Sequence, residues 1–154
     1  MGKDLTLSKH DFTSPDRIDA EEEDYLYVAK SNIPNAGNGL FTAMDIYPNE
    51  RISVFKGELL NENEASKRAG QKLDAYFMNT PNGGVMDAMQ VECFAKYAND
   101  DEANGNKVVR TNAIITMDEN EEICLVALKK IKAGSEIFCA YGAKYWQNFR
   151  TKLS

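Results

Sequence analysis

The β-forming residues of this 154-residue chain come in short runs, each stopped by a turn. The runs fall at 25–30, 40–42, 51–55, 75–78, 84–87, 112–117 and 122–127, with a last one ending at Tyr141. Between them lie Ser31-Asn32-Ile33-Pro34-Asn35, Tyr47-Pro48-Asn49-Glu50, Pro81-Asn82-Gly83, Asp118-Glu119-Asn120-Glu121 and Lys132-Ala133-Gly134. Only one segment reads as a longer helix. It starts near Asn63 and sets Glu64, Lys67, Arg68 and Lys72 among Ala65, Ala69 and Leu73, with Gly70 weakening its middle. Strands do not alternate with helices, which disfavours a doubly wound sheet. The pattern predicts a mainly β domain of several short sheets with a small inserted helical segment. The run at 112–117 and the run at 122–127 are close enough for a hairpin.

The length suits one domain with a real core. Residues 1–24 are polar and end in Glu21-Glu22-Glu23-Asp24. They read as a loosely attached arm with a solvated acidic face, ahead of a single domain at 25–154. The opening Met1-Gly2-Lys3-Asp4-Leu5-Thr6 has the form of an N-myristoylation site, a match short enough to arise by chance.

Charge and composition narrow the function. The net charge is −6 and the pI about 4.9, which argues against direct binding to nucleic acid and suits a basic, lysine-rich partner. No apolar run is long enough to span a bilayer and no signal peptide is evident, so no membrane role and an intracellular setting, nucleus or cytoplasm, are expected. Cys93, Cys124 and Cys139 are widely spaced and read as free thiols, not as a disulfide framework or a zinc site. His10 is the sole histidine, so a His-dependent triad or a multi-histidine metal centre has no material, and no metal is expected.

Gly37-Asn38-Gly39 lacks the third glycine and following helix of a dinucleotide fingerprint, but two glycines this close let backbone approach a ligand or another segment. The order of features carries more. Gly37-Asn38-Gly39-Leu40-Phe41 is followed by Val54-Phe55-Lys56-Gly57-Glu58-Leu59, then Asp87-Ala88, then Ala95-Lys96-Tyr97-Ala98-Asn99-Asp100. The series closes on Val126-Ala127-Leu128-Lys129-Lys130-Ile131, a glycine turn at Gly134, and Ala140-Tyr141-Gly142. From about Tyr25 to Trp146 this order resembles the SET domain family of protein-lysine methyltransferases.

The resemblance implies a fold of short β-sheets with a knot-like threading of the C-terminal segment. It implies S-adenosyl-L-methionine as methyl donor and a protein or peptide substrate bearing a lysine, a histone among the candidates. On the matching positions it implies that Gly37, Asn38 and Gly39 lie against the cofactor, with Asn99 and Asp100 beside them. Tyr141 becomes the catalytic residue, orienting amine and methyl. Phe55, Tyr97 and Cys139 become channel residues, with plain core packing as the other reading of Tyr97. Small Cys139 leaves room beside the amine. Trp146 either stacks on the adenine or packs the C-terminal segment. The chain departs from the family at Phe55, where Tyr is usual, and at Asp100 and Asp101, where His and Ser are usual. The three-cysteine zinc segment that follows some SET domains is missing, and Tyr145, Trp146 and Phe149 are the aromatics left to close the channel. The departures support an alternative, a catalytically inactive SET-like module that binds a basic or lysine-bearing peptide.

Overall fold

The computed structural model describes residues 14–74, 77–79, 84–100 and 110–141, and it places Tyr141 by its backbone. Tyr76, Asp101, Gly142, Tyr145, Trp146 and Phe149 lie outside the described residues, as does the C-terminal segment for which a knot-like threading is expected. Among the described residues three short sheets make up the body, matching the mainly β expectation. The first joins β1 (Leu26–Lys30), β2 (Asn38–Thr42) and β9 (Glu136–Ile137), all antiparallel. The second has the order β10 (Cys139–Tyr141), β7 (Ala113–Met117), β8 (Ile123–Ala127), β3 (Arg51–Val54). The third is β4 (Glu58–Leu60), β6 (Val85–Asp87) and β5 (Phe77–Asn79).

The core follows from residue type. Ile123-Cys124-Leu125-Val126-Ala127 has no polar position, and β8 is accordingly buried along its whole length between β7 and β3. Leu40, Ile46, Ile52, Ile131 and Ile137 close the interior around it. The β7–β8 hairpin forms as expected, its turn built on Asp118, whose Oδ1 accepts from the backbone N–H groups of Asn120 (2.9 Å) and Glu122 (3.0 Å). Burial works to raise the Asp118 pKa, but these bonds and Arg51 at 3.2 Å outweigh it and hold the carboxyl below its ordinary value.

Helix α2 (Glu62–Gly70) is preceded by the short α1 (Glu22–Tyr25) and is capped by Asn61, whose Oδ1 accepts from Glu64 N at 2.8 Å. It buries no residue fully. Arg68 holds it instead, donating to Glu64 on its own helix, Glu58 on β4 and the buried Asp87 on β6. Strand β4 was not anticipated. Gly57 allows it to lie on β6, since a Cβ there would sit 2.6 Å from Met86 Cγ.

The segment before Tyr25 corrects the loose-arm expectation for residues 14–24. Asp16 N donates to Asn49 O and Asp16 O accepts from Arg51 N, extending β3 by one parallel bridge. Glu22 accepts from Ser53 Oγ (2.7 Å) and Val54 N (3.0 Å), so only Glu21, Glu23 and Asp24 of the acidic run are exposed. Tyr25 is buried and donates its hydroxyl to Ile52 O at the bulge in β3.

Candidate active site

The loop between β1 and β2 closes on itself through a 2.8 Å bond from Ser31 N to Gly37 O. Two residues of the loop, Asn35 and Gly37, have positive φ, at 65° and 73°. Gly37 and Asn38 are exposed, and a Cβ at Gly37 would meet nothing within 4 Å. Gly39 is different. It is buried, and a Cβ there would overlap Glu136 Oε2, lie 2.9 Å from Glu136 Cδ and 3.3 Å from Ser31 Cα. The two glycines of one motif therefore serve two purposes, one leaving the surface open and one making room for a carboxylate.

That carboxylate organises the region. Glu136, only 3% exposed, accepts from Ser31 Oγ at 2.7 Å and from Asn32 N at 2.7 Å. Asn99 Nδ2 lies 3.5 Å from Glu136 Oε2 and donates to Asn38 O at 3.0 Å. Asn99 thus ties the Gly37–Gly39 loop to the C-terminal strands, and its Oδ1 accepts from no described group.

Phe138 marks the place where the C-terminal run leaves one sheet and enters another. Asn112 fixes it there, its Oδ1 accepting from Phe138 N (2.9 Å), its Nδ2 donating to Glu136 O (3.1 Å) and its N donating to Phe138 O (3.0 Å). Cys139 N then donates to Asn99 O at 2.9 Å, and the buried Cys139 thiol points to Ala98 O at 3.6 Å. Tyr141 ends β10, opposite Ile115 in the parallel ladder with β7. The loop, Asn99 and β10 with Cys139 and the backbone of Tyr141 thus come from three separate stretches of sequence to one end of the domain.

Of the remaining expected site residues, Phe55 and Tyr97 have other surroundings. Phe55 is buried in the core, with its N–H on Ile123 O. Tyr97 is half-buried on a 3₁₀ turn (Ala95–Tyr97), donates to Glu92 Oε1 at 3.1 Å, and lines a cavity of about 450 Å³ with Lys56, Cys93, Phe94 and Val28. Neither Phe55 nor Gly37, Asn38, Gly39, Asn99 or Cys139 lines that cavity. Asp100 follows Asn99 and is half-buried. Trp146 is outside the described residues. Sequence reasoning assigned no role to Glu136, Ser31 or Asn112. A signal for Glu136 was present: it is a charge at the head of the apolar run Ile137-Phe138-Cys139-Ala140, where burial demands partners.

A family model described as SET domain matches residues 37–142. The chain belongs to the SET domain family. The match runs from the exposed Gly37 through the end of β10, and so takes in Gly37–Gly39, Asn99, Glu136 and Tyr141 together. Its relatives include two histone-lysine N-methyltransferases. Histone-lysine N-methyltransferase EZH2 of Chaetomium thermophilum is 28% identical over 138 residues, 83% of this chain and 9% of that protein. Histone-lysine N-methyltransferase mes-2 of Caenorhabditis elegans is 33% identical over 92 residues, 57% of this chain and 12% of that protein. This chain spans about a tenth of their length. A humanized mutant of the Chaetomium thermophilum Polycomb Repressive Complex 2 bound to an inhibitor has the same fold, with a TM-score of 0.66 at 27% identity, covering 83% of this chain and 16% of that one. A structure of the same complex in an autoinhibited conformation bound to S-adenosylmethionine gives a TM-score of 0.65 at 24% identity, covering 83% of this chain and 17% of that one.

Proposed function

We propose that this SET domain transfers a methyl group from S-adenosylmethionine to the side-chain amine of a lysine in a protein, histones being the first substrates to test. The observation that supports this most is the convergence of the β1–β2 loop and Asn99 on the buried Glu136, with β10 bonded to Asn99 through Cys139 N. Family membership and the histone-lysine methyltransferase relatives support it further.

The residues present fit the donor. The exposed backbone at Gly37 and Asn38 offers an open surface, and the Oδ1 of Asn99, which accepts from no described group, an acceptor, for a ligand held by main chain. When bound, the donor supplies an electrophilic methyl group on a cationic sulfonium. The chain's task is then to position groups and exclude water, since no oxyanion develops that would need a dedicated donor pair. In this proposal the Tyr141 phenol oxygen orients the amine and makes weak C–H···O contacts. Burial of the substrate lysine lowers its pKa and keeps the amine neutral, so a histidine base is unnecessary. Cys139, small and buried, leaves room beside the amine for more than one methyl group.

The test is incubation of the folded chain with S-adenosylmethionine and histones or other lysine-rich proteins, read by mass spectrometry for methyl-lysine. Absence of transfer to every substrate by well-folded protein overturns the proposal. Phe55 and Asp100, departures from the family pattern, favour a second reading as an inactive module that binds lysine-bearing peptides. Calorimetry separates the two, because that module binds peptide without binding the donor.

A further inference from the structure

Glu136 is a carboxylate taken out of water, and no lysine or arginine pairs with it among the described residues. A buried charge is tolerated only where donors meet it. Its donors come from Ser31 and Asn32, more than 100 positions earlier, and from Asn99. Ser31 Oγ in turn accepts from Ile33 N (3.0 Å), and Ser31 N holds Gly37 O, so both ends of the loop hang on this one residue. The third donor, Asn99, is also bonded to Asn38 O. The bonds close a ring: Glu136 to the head of the loop, the head to Gly37, and Asn38 back through Asn99 to Glu136.

We propose that Glu136 is the positioning residue of the donor site, its buried carboxylate setting the distance between the exposed Gly37–Asn38 backbone and Asn99. The inference rests on the methyl-transfer reading and adds to it a residue that touches neither donor nor substrate. Without the carboxylate, the loop and Asn99 must be ordered at the moment of binding, which weakens affinity. Tyr141 is placed by the β10 ladder to β7, in which the Glu136 side chain takes no part, so turnover at saturating donor is preserved.

The obvious variant is Glu136→Gln, which keeps shape but turns an amide NH₂ toward donors that need an acceptor. Calorimetric titration of S-adenosylmethionine into the full chain should show affinity weakened about tenfold or more, the loss of charge-assisted hydrogen bonds being of that order. The donor KM should rise in parallel, with kcat and lysine-peptide affinity changed by no more than about twofold. Ser31→Ala removes one 2.7 Å bond and should weaken donor binding about fivefold, and in combination with Glu136→Gln should add little. Asp118→Asn serves as a control. It removes an equally buried carboxylate from the β7–β8 turn and should lower the Tm while leaving donor affinity unchanged.

If the wild type binds the donor and Glu136→Gln binds it equally well, this inference fails and the methyl-transfer reading stands. Parallel loss of peptide affinity, or a fall in kcat with KM unchanged, also overturns it, since either marks a structural or catalytic role. Should Glu136→Gln fail to fold, Ser31→Ala decides, and unchanged affinity there counts against the proposal. A folded wild type that binds no donor overturns both readings together.

Discussion

Gly39→Ala and Gly37→Ala are equivalent changes in sequence terms, yet the structure assigns them different costs. At Gly39 the new methyl overlaps Glu136 Oε2, with Ser31 Cα 3.3 Å away on the other side. Glu136 cannot swing clear, because it is buried and held by Ser31 and Asn32, each at 2.7 Å. Hydrogen bonds to a charged group contribute about 1.5–3 kcal/mol each, and losing or stretching both should cost about 3 kcal/mol after partial relaxation. In a domain of this size that is a fall in Tm of about 6–12 °C. At Gly37 the methyl meets open space, and the cost reduces to holding alanine at φ 73°, about 1 kcal/mol. Urea denaturation of both variants, and of Gly39→Ala in a Glu136→Ala background, measures the difference. Removing the carboxylate first should make the second methyl cheaper by about 2 kcal/mol, a coupling that independent sites do not show. Equal costs at the two glycines, or additive costs in the double variant, would refute the placement of Glu136 beneath the loop.

Asp118 gives a pH dependence. Its folded pKa is depressed, so its contribution to stability is present above the unfolded value, about 4, and is lost as pH falls through the lower folded value. Tm measured from pH 7 to pH 2 should therefore fall in acid more steeply for the wild type than for Asp118→Asn, and identical slopes would contradict this. Among the cysteines, burial raises the Cys124 pKa to about 12, whereas Cys93 is half-exposed at the cavity. Alkylation of native protein should label Cys93 first and leave Cys124 unmodified until denaturant is added, as read by peptide mass spectrometry. Arg68→Ala should release α2 from Glu58 and Asp87, seen as faster hydrogen exchange across Glu62–Gly70 with β7 and β8 still protected. Protection that stays unchanged would show that α2 is held by other contacts.

Elements with a local cause were legible in the sequence. The β7–β8 hairpin follows from two apolar runs around an Asp-led turn, and the α2 helix from its residue spacing, although its start lies at the Asn61 cap and not near Asn63. The mainly β character followed from the punctuation alone. Strand β4 escaped because Glu58-Leu59-Leu60 has no clean alternation, and Leu59 stays 72% exposed; its pairing depends on β6, far along the chain. The partners of Glu22 and Glu136 were hidden for the same reason. A carboxylate in a polar run or at a strand head reads as solvated until the donors that meet it, Ser53 and Val54 in one case, Ser31 and Asn32 in the other, are brought across the fold. The candidate site was legible in order but not in division of labour. Gly37, Gly39, Asn99 and β10 do meet, whereas Tyr97 faces a separate cavity and Phe55 lies in the core.

The central claim, lysine methylation with Tyr141 orienting the amine, is tested most directly by comparing wild type with Tyr141→Phe. Donor affinity is measured by calorimetry and methyl-lysine formation on a histone mixture by mass spectrometry. The expected result is methyl-lysine from the wild type, and for Tyr141→Phe the same donor affinity with a rate lower by about a hundredfold. Equal turnover by the two proteins, or none by a folded wild type that binds the donor, would contradict the claim.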